Sequence, residues 1–176
     1  KAEELAVHLA SNGSDSLVIH GTTGESPTLT HDEEYELYKV VKKALSQTKC
    51  KLIAGTGSNS TATTISSTKK AEAIGCDGAM LVVPYYNKPS SEGLYQHFKA
   101  VADNTGLPMI IYNIPGRTGI NMTPETIARV ADIKNYIGVK DAAGSLDQTS
   151  QTRALCPKEF IIWCGDDSLT LPMLSV

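Results

Sequence analysis

Six short apolar runs recur along the chain, at residues 16–19, 51–54, 79–83, 109–112, 136–139 and 160–164, and each interval between them has room for one helix and little else. No two-residue hairpin signal joins consecutive runs. Strands that alternate with helices in this way are parallel and connected by crossovers. The runs are continuously apolar rather than alternating, which suits a sheet covered by helices. Two architectures meet these conditions, an open doubly wound sheet and a (β/α)8 barrel. A Gly-x-Gly-x-x-Gly turn would favour the open sheet, but Gly55-Thr56-Gly57 is followed by Asn59 and Ser60 rather than a third glycine, a weak match. Both architectures bind ligands on the loops that follow the strands.

The intervals carry helix signals. Residues 1–10 read as an amphipathic helix with Leu5 and Leu9 on one face. Thr30 and Glu33 form a capping box ahead of Leu37, Val41 and Ala44 at helical spacing. A helix is expected over 61–74, although Ile65 has few large apolar companions. Leu94, Phe98 and Val101 define a further helix, with Gly106 as its expected stop. Thr123-Pro124 reads as N-cap and first helical residue before Ile127, Val130 and Ala131. Ser145 and Gln148 predict a second capping box, on a helix that ends before Pro157. The sequence opens inside one helix and closes, over 169–176, inside what reads as another, so a fragment of a longer chain is expected.

With 176 residues, 41% of them apolar, and a net charge of −3, the chain reads as one soluble globular unit with enough length to bury a core. It has no Lys/Arg-rich block of the kind nucleic-acid binders carry, and no apolar run of membrane-spanning length. Neither nucleic acid nor membrane is therefore expected as a partner, which leaves small molecules and other protein chains. Cys50, Cys76, Cys156 and Cys164 stand far apart, and the four histidines, at 8, 20, 31 and 97, show no ligand spacing. A reducing, cytosol-like compartment and no metal site are the expectation.

The residues with chemical potential fall just after the strands. Lys140 closes the run 136–139. Apolar neighbours there would lower the amine's pKa and let it attack a ketone to form a Schiff base; otherwise it marks where the strand meets water. Thr22 and Thr23, bracketed by Gly21 and Gly24, are either turn residues or hydroxyls and amides of a carboxylate cradle. Tyr112 ends the fourth run, where a tyrosine close to Lys140 could carry protons. Tyr85 and Tyr86 more often pack under a loop than react. Arg117, expected in a polar turn between Gly116 and Thr118, is either a solvated charge or a planar fork for a substrate carboxylate.

Four segments taken together, Gly21-Thr22-Thr23-Gly24-Glu25-Ser26, Pro84-Tyr85-Tyr86-Asn87-Lys88-Pro89-Ser90, Tyr112-Asn113-Ile114-Pro115-Gly116-Arg117-Thr118-Gly119 and Gly138-Val139-Lys140-Asp141-Ala142, resemble the dihydrodipicolinate synthase family. The resemblance covers essentially the whole chain. The first and last segments are shared with the wider pyruvate-dependent aldolases, including N-acetylneuraminate lyase, and the tyrosine pair and arginine segment point to the synthases. The resemblance implies a (β/α)8 barrel, here partial, over residues 1–176 and lacking the first and last strands. It implies a lyase of lysine and diaminopimelate biosynthesis that condenses pyruvate with aspartate semialdehyde and uses no cofactor. Lys140 would form the Schiff base, while Thr22, Tyr86 and Tyr112 would relay protons, Tyr86 from a neighbouring subunit. Thr23 would help hold pyruvate, Arg117 would bind the semialdehyde carboxylate and Gly165 would line the pocket. Ser26, His31, Asn59 and Tyr85 would belong to a regulatory lysine site, although Glu34 stands where the lysine-sensitive pattern has a histidine and Thr63 where it has a glutamate. A homo-oligomer, a dimer of dimers, would follow, in the cytoplasm or in a plastid should a transit peptide lie upstream. A related sugar-acid aldolase, or a fragment that keeps the motifs without activity, is the alternative.

Overall fold

Each apolar run forms a strand: β1 Ser16–Ile19, β2 Lys51–Gly55, β3 Gly78–Val82, β4 Met109–Asn113, β5 Tyr136–Asp141 and β6 Ile161–Cys164, in a computed structural model that describes residues 1–176. The helices are α1 Ala2–Ser11, α2 His31–Ala44, α3 Thr61–Ile74, α4 Ser91–Ala102, α5 Pro115–Thr118, α6 Pro124–Ala131, α7 Leu146–Leu155 and α8 Thr170–Met173. All pairings are parallel and the sheet order is β1-β2-β3-β4-β5-β6. A doubly wound sheet reverses its strand order at a switch point; this one never reverses. The open-sheet alternative is thereby excluded, and the chain forms six strand-helix units of a (β/α)8 barrel, an incomplete one.

The two faces of the sheet are unequal. Leu17, Leu52, Ala54, Ala79, Leu81, Met109, Ile111 and Val139 face the helices and join Tyr38, Val41, Leu94, Phe98, Val101, Ile127 and Val130 in the main core. The other face, the barrel interior, carries a much smaller cluster of Ile53, Met80 and Tyr112. No helix is long and apolar enough to cross a membrane.

Several helix signals form as read. Thr30 and Glu33 make both halves of the capping box, and Thr123 caps α6 with Pro124 in its first turn. Others differ. Gly106 does not stop α4, which ends at Asp103 in right-handed geometry; the Gly106 N–H instead donates to Glu72. Ser145 accepts from the Gln148 N–H, but the Gln148 side chain turns away to pair with Asn121, so the second capping box is only half made. Residues 115–118 form a helical turn rather than an open loop. Leu5 and Leu9, expected on a packed face, are exposed, and only Ala6 of α1 is buried. The helix α3 buries Thr64, Ser67, Thr68 and Ala71, a small polar stripe that needs hydrogen bonds rather than bulk: Thr68 Oγ1 lies 2.8 Å from Thr56 Oγ1 and donates to the Thr64 carbonyl.

Gly55-Thr56-Gly57 has a packing reason, not a phosphate-binding one. A Cβ on Gly57 would stand 2.3 Å from the Val82 nitrogen and one on Gly55 2.3 Å from the His20 carbonyl oxygen, so only glycine lets the end of β2 lie this close to its neighbours.

Candidate active site

The C-terminal rim of the sheet holds every non-glycine residue in left-handed backbone geometry: His20, Glu25, Tyr86 and Lys88, at φ 63°, 53°, 73° and 43°. They lie in the loops after β1 and β3. Such conformations cost of order 1–3 kcal/mol each and persist where the surroundings over-determine them, often beside a functional site.

Strand register sets the centre of this rim. Val82 pairs with Tyr112, Tyr112 with Lys140, and Lys140 with Trp163, so the four form one row across β3 to β6. The Lys140 amine stands 4.3 Å from the centroid of the Tyr112 ring. Tyr112 is buried and Lys140 half-buried. Burial holds the Lys140 amine below the usual lysine value, partly offset by the nearby Asp167 carboxylate. Lowering an amine's pKa enlarges the neutral, nucleophilic fraction. Two glycines make the space: a Cβ on Gly165 would lie 3.3 Å from Lys140 Cε and 2.8 Å from Ala142 Cβ, and one on Gly138 would meet the Trp163 ring at 2.5 Å.

Beside Tyr112 opens a cavity of about 400 Å³, lined among others by Thr22, Met80, Val82, Tyr85, Tyr112 and Arg117. Lys140 does not line it and reaches its edge only through Tyr112. Thr22 opens a 3-10 turn, Thr22–Gly24, whereas Thr23 points to solvent outside the cavity. Arg117, raised on α5, is exposed and takes part in none of the chain's salt bridges. Tyr86 is 87% exposed and does not line the cavity that Thr22 and Tyr112 share.

A network behind the rim fixes these positions. The buried Asp141 accepts from Asn113 Nδ2 at 3.2 Å and the Ala143 N–H at 3.1 Å. Asn113 also donates to Asn121 and accepts from the Met122 N–H, tying the segment after α5 to the ends of β4 and β5. Sequence reasoning passed over Asp141, Asn113 and Trp163. Trp163 was findable from strand register, two places before Gly165.

A second cavity of about 400 Å³ shares a wall with the first and brings together Ser26, His31, Glu34, Asn59, Thr63 and Tyr85. Glu34 is its only buried carboxylate; Oε2 lies 2.8 Å from His31 Nδ1 and Oε1 3.5 Å from Ser26 Oγ. The Asn87 side chain holds the loop after β3 to the Asn59 carbonyl.

A singly wound parallel sheet with a desolvated amine at the end of one strand and a cavity beside it defines the class as a (β/α)-barrel protein with a strand-end lysine site. Comparison narrows this: the model of the dihydrodipicolinate synthetase family matches residues 1–176, and the chain belongs to that family. It is 59% identical over 176 residues to the 4-hydroxy-tetrahydrodipicolinate synthase of Acaryochloris marina, covering 99% of this chain and 60% of that protein. The enzyme of the same name from Desulforamulus reducens is 56% identical over 177 residues, covering 100% of this chain and 60% of that one. Among solved structures, the Cyanidioschyzon merolae synthase with lysine bound superposes with a TM-score of 0.97 at 54% identity, over 99% of this chain and 59% of that one. The Methylacidiphilum fumariolicum synthase gives 0.96 at 50% identity, over 99% and 58%. The chain thus spans about 60% of the length of the relatives it matches.

Proposed function

We propose that this chain carries the Schiff-base centre of a 4-hydroxy-tetrahydrodipicolinate synthase, a lyase that condenses pyruvate with L-aspartate 4-semialdehyde in lysine and diaminopimelate biosynthesis. The observation that carries the reading is the half-buried Lys140 amine set against the Tyr112 ring. Lys140 attacks C2 of pyruvate, water leaves, and the iminium accepts the electron pair released when a C3 proton is lost. The iminium is itself the electron sink, so the chemistry calls for no metal or organic cofactor. The enamine carbon then adds to the semialdehyde carbonyl. The amine of the new product displaces Lys140 from C2 and closes the ring.

Thr22 and Thr23 hold the pyruvate carboxylate, and Thr22 and Tyr112 move protons to and from the departing oxygen. Thr23 reaches that role only if its exposed turn closes over the ligand. The extreme exposure of Tyr86 on a left-handed backbone supports its use by a neighbouring subunit and hence a homo-oligomer, a dimer of dimers. Arg117, free of internal partners beside the cavity, binds the semialdehyde carboxylate, which favours this acceptor over a sugar. Gly165 keeps space for the lysine side chain. Ser26, His31, Asn59 and Tyr85 form a regulatory lysine site, and Glu34 adds a carboxylate for the ligand's ammonium groups. Free, unpaired cysteines accord with a cytoplasmic location.

Borohydride reduction in the presence of pyruvate tests the reading. The peptide bearing Lys140 should gain the mass of a reduced pyruvate adduct; an unmodified Lys140 in folded protein would rule the reading out.

A further inference from the structure

His20 ends β1 directly ahead of Gly21-Thr22-Thr23, yet the proposed chemistry gives it no part. Alternation along β1 sends Leu17 and Ile19 toward the helices, and Val18 into the barrel interior near Gly21 and Met80. The next inward position is His20. Its φ of 63° instead turns the ring back into the helix layer, tilted against Tyr38 with centroids 4.9 Å apart. There the side chain is 1% exposed and neither ring nitrogen has a hydrogen-bond partner. An unmet buried polar group is destabilising, and the left-handed backbone adds to that.

Glu34 Oε1 lies 4.0 Å from His20 Nδ1, close enough for charge attraction and too far for a hydrogen bond. That carboxylate is already shared. Oε2 faces His31, and Oε1 receives the Ser26 hydroxyl, which lies just past the Thr22–Gly24 turn. His20 and Ser26 therefore flank the threonine turn on either side and meet at one carboxylate.

We propose that His20 is a positioning residue for the Thr22–Thr23 turn, and that protonating it draws Glu34 onto the imidazolium, releases Ser26 and resets the turn. The inference rests on reading Thr22 and Thr23 as the pyruvate-carboxylate cradle. The titratable groups around His20 come chiefly from α2, Glu34 and Tyr38 directly, with His31 and Tyr35 beyond the carboxylate; Cys76, between α3 and β3, lies behind Tyr38. At this end β2 offers none, because Lys51 lies at its opposite, exposed end. Burial lowers the His20 pKa from the ordinary imidazole value, with Glu34 opposing more weakly, so the ring is neutral at pH 7 and charges in acid. The geometry also accounts for a histidine in a left-handed position: the flipped backbone is what brings the ring to Glu34.

The test has two readouts on the intact protein. In the first, NMR of protein labelled at the histidine Cε1 positions follows the His20 titration without substrate, alongside the amides of Gly21, Thr22 and Thr23. The amides should shift with the His20 midpoint, and in His20→Asn, an amide side chain tolerant of left-handed backbone, that shift should vanish. In the second, the KM for pyruvate should rise about tenfold per pH unit below the His20 midpoint while kcat changes little, and the rise should be absent in His20→Asn. Loop amides that ignore the His20 titration, or a KM profile unchanged in His20→Asn, would overturn the proposal. A protein that failed to use pyruvate while its loop amides still followed His20 would sink the proposed activity and leave the coupling intact.

Discussion

The Lys140 amine and the Tyr112 ring are register partners on adjacent strands, 4.3 Å apart, so the fold itself brings the proposed nucleophile and the proposed acid-base group to one point. If Tyr112 moves protons rather than merely packing, Tyr112→Phe keeps the ring that desolvates Lys140 and removes only the hydroxyl. Borohydride trapping should then still label Lys140 at saturating pyruvate, while kcat falls by roughly 10²–10⁴-fold. Equal loss of trapping and turnover would show that the ring's packing, not its hydroxyl, is what matters.

Trp163 is the chain's only tryptophan, pairs with Lys140 in the β5–β6 register, and packs over Gly138. Conversion of the amine to an iminium bearing pyruvate changes the charge and contacts next to the indole. Intrinsic fluorescence should therefore change on adding pyruvate, saturate, and stay flat in Lys140→Ala. A response that survives Lys140→Ala would mean that pyruvate reaches Trp163 without covalent attachment.

The places of the strands along the chain, most helix boundaries and the rim positions of Lys140, Tyr112, Thr22 and Arg117 were legible because each depends on local pattern: an apolar run, a cap, a residue at a strand end. What was not legible depends on neighbours distant in sequence. Nothing near Thr64, Ser67 and Thr68 announces a buried face, because the stabilising bond runs to Thr56 on another element. The tryptophan's place beside Lys140 follows from register, and the inversion of His20 from one backbone angle. Ser26, Asn59 and Tyr85 come from three separate loops and His31 from the start of α2, and only the resemblance grouped them before the fold did. The choice between an open sheet and a barrel also needed the strand order, since both share the same strand-helix alternation.

Asp141 sits beside Lys140, 4% exposed, and burial raises its pKa above the usual carboxylate value despite hydrogen bonds from the Ala143 N–H, Asn113 and Thr149. A carboxylate held high in the fold takes up a proton more readily folded than unfolded. Its ionisation thus costs stability as pH rises through the ordinary aspartate range, and that cost is absent in acid. Asp141→Asn keeps an acceptor for Asn113 and Ala143 without the charge, so it should change stability at pH 7 by no more than about 1 kcal/mol, in the favourable direction. Asp141→Ala leaves both donors unmet and should cost roughly 2–3 kcal/mol. Urea unfolding of the two variants separates these outcomes; equal losses would mean that the charge itself is required.

His97 is expected to make the fold sensitive to acid. Its ring is 6% exposed, its Nδ1 lies 2.9 Å from Thr61 Oγ1, its Nε2 has no partner, and it meets Phe98 edge-on with centroids 5.2 Å apart. Burial alone lowers its pKa from 6.5 to about 4. Between those two values the unfolded chain binds a proton that the folded chain refuses. The contribution of this group to stability is therefore fully present above pH 6.5 and is lost as pH falls toward 4, by up to roughly 3 kcal/mol. His97→Gln retains a polar partner for Thr61 and cannot titrate, so its unfolding free energy should be lower than that of the parent at pH 7 and should fall less steeply in acid. Chemical denaturation across this pH range measures the difference. Parallel curves for parent and variant would place the acid sensitivity elsewhere, first of all at His20, whose ring is buried and titrates in the same direction.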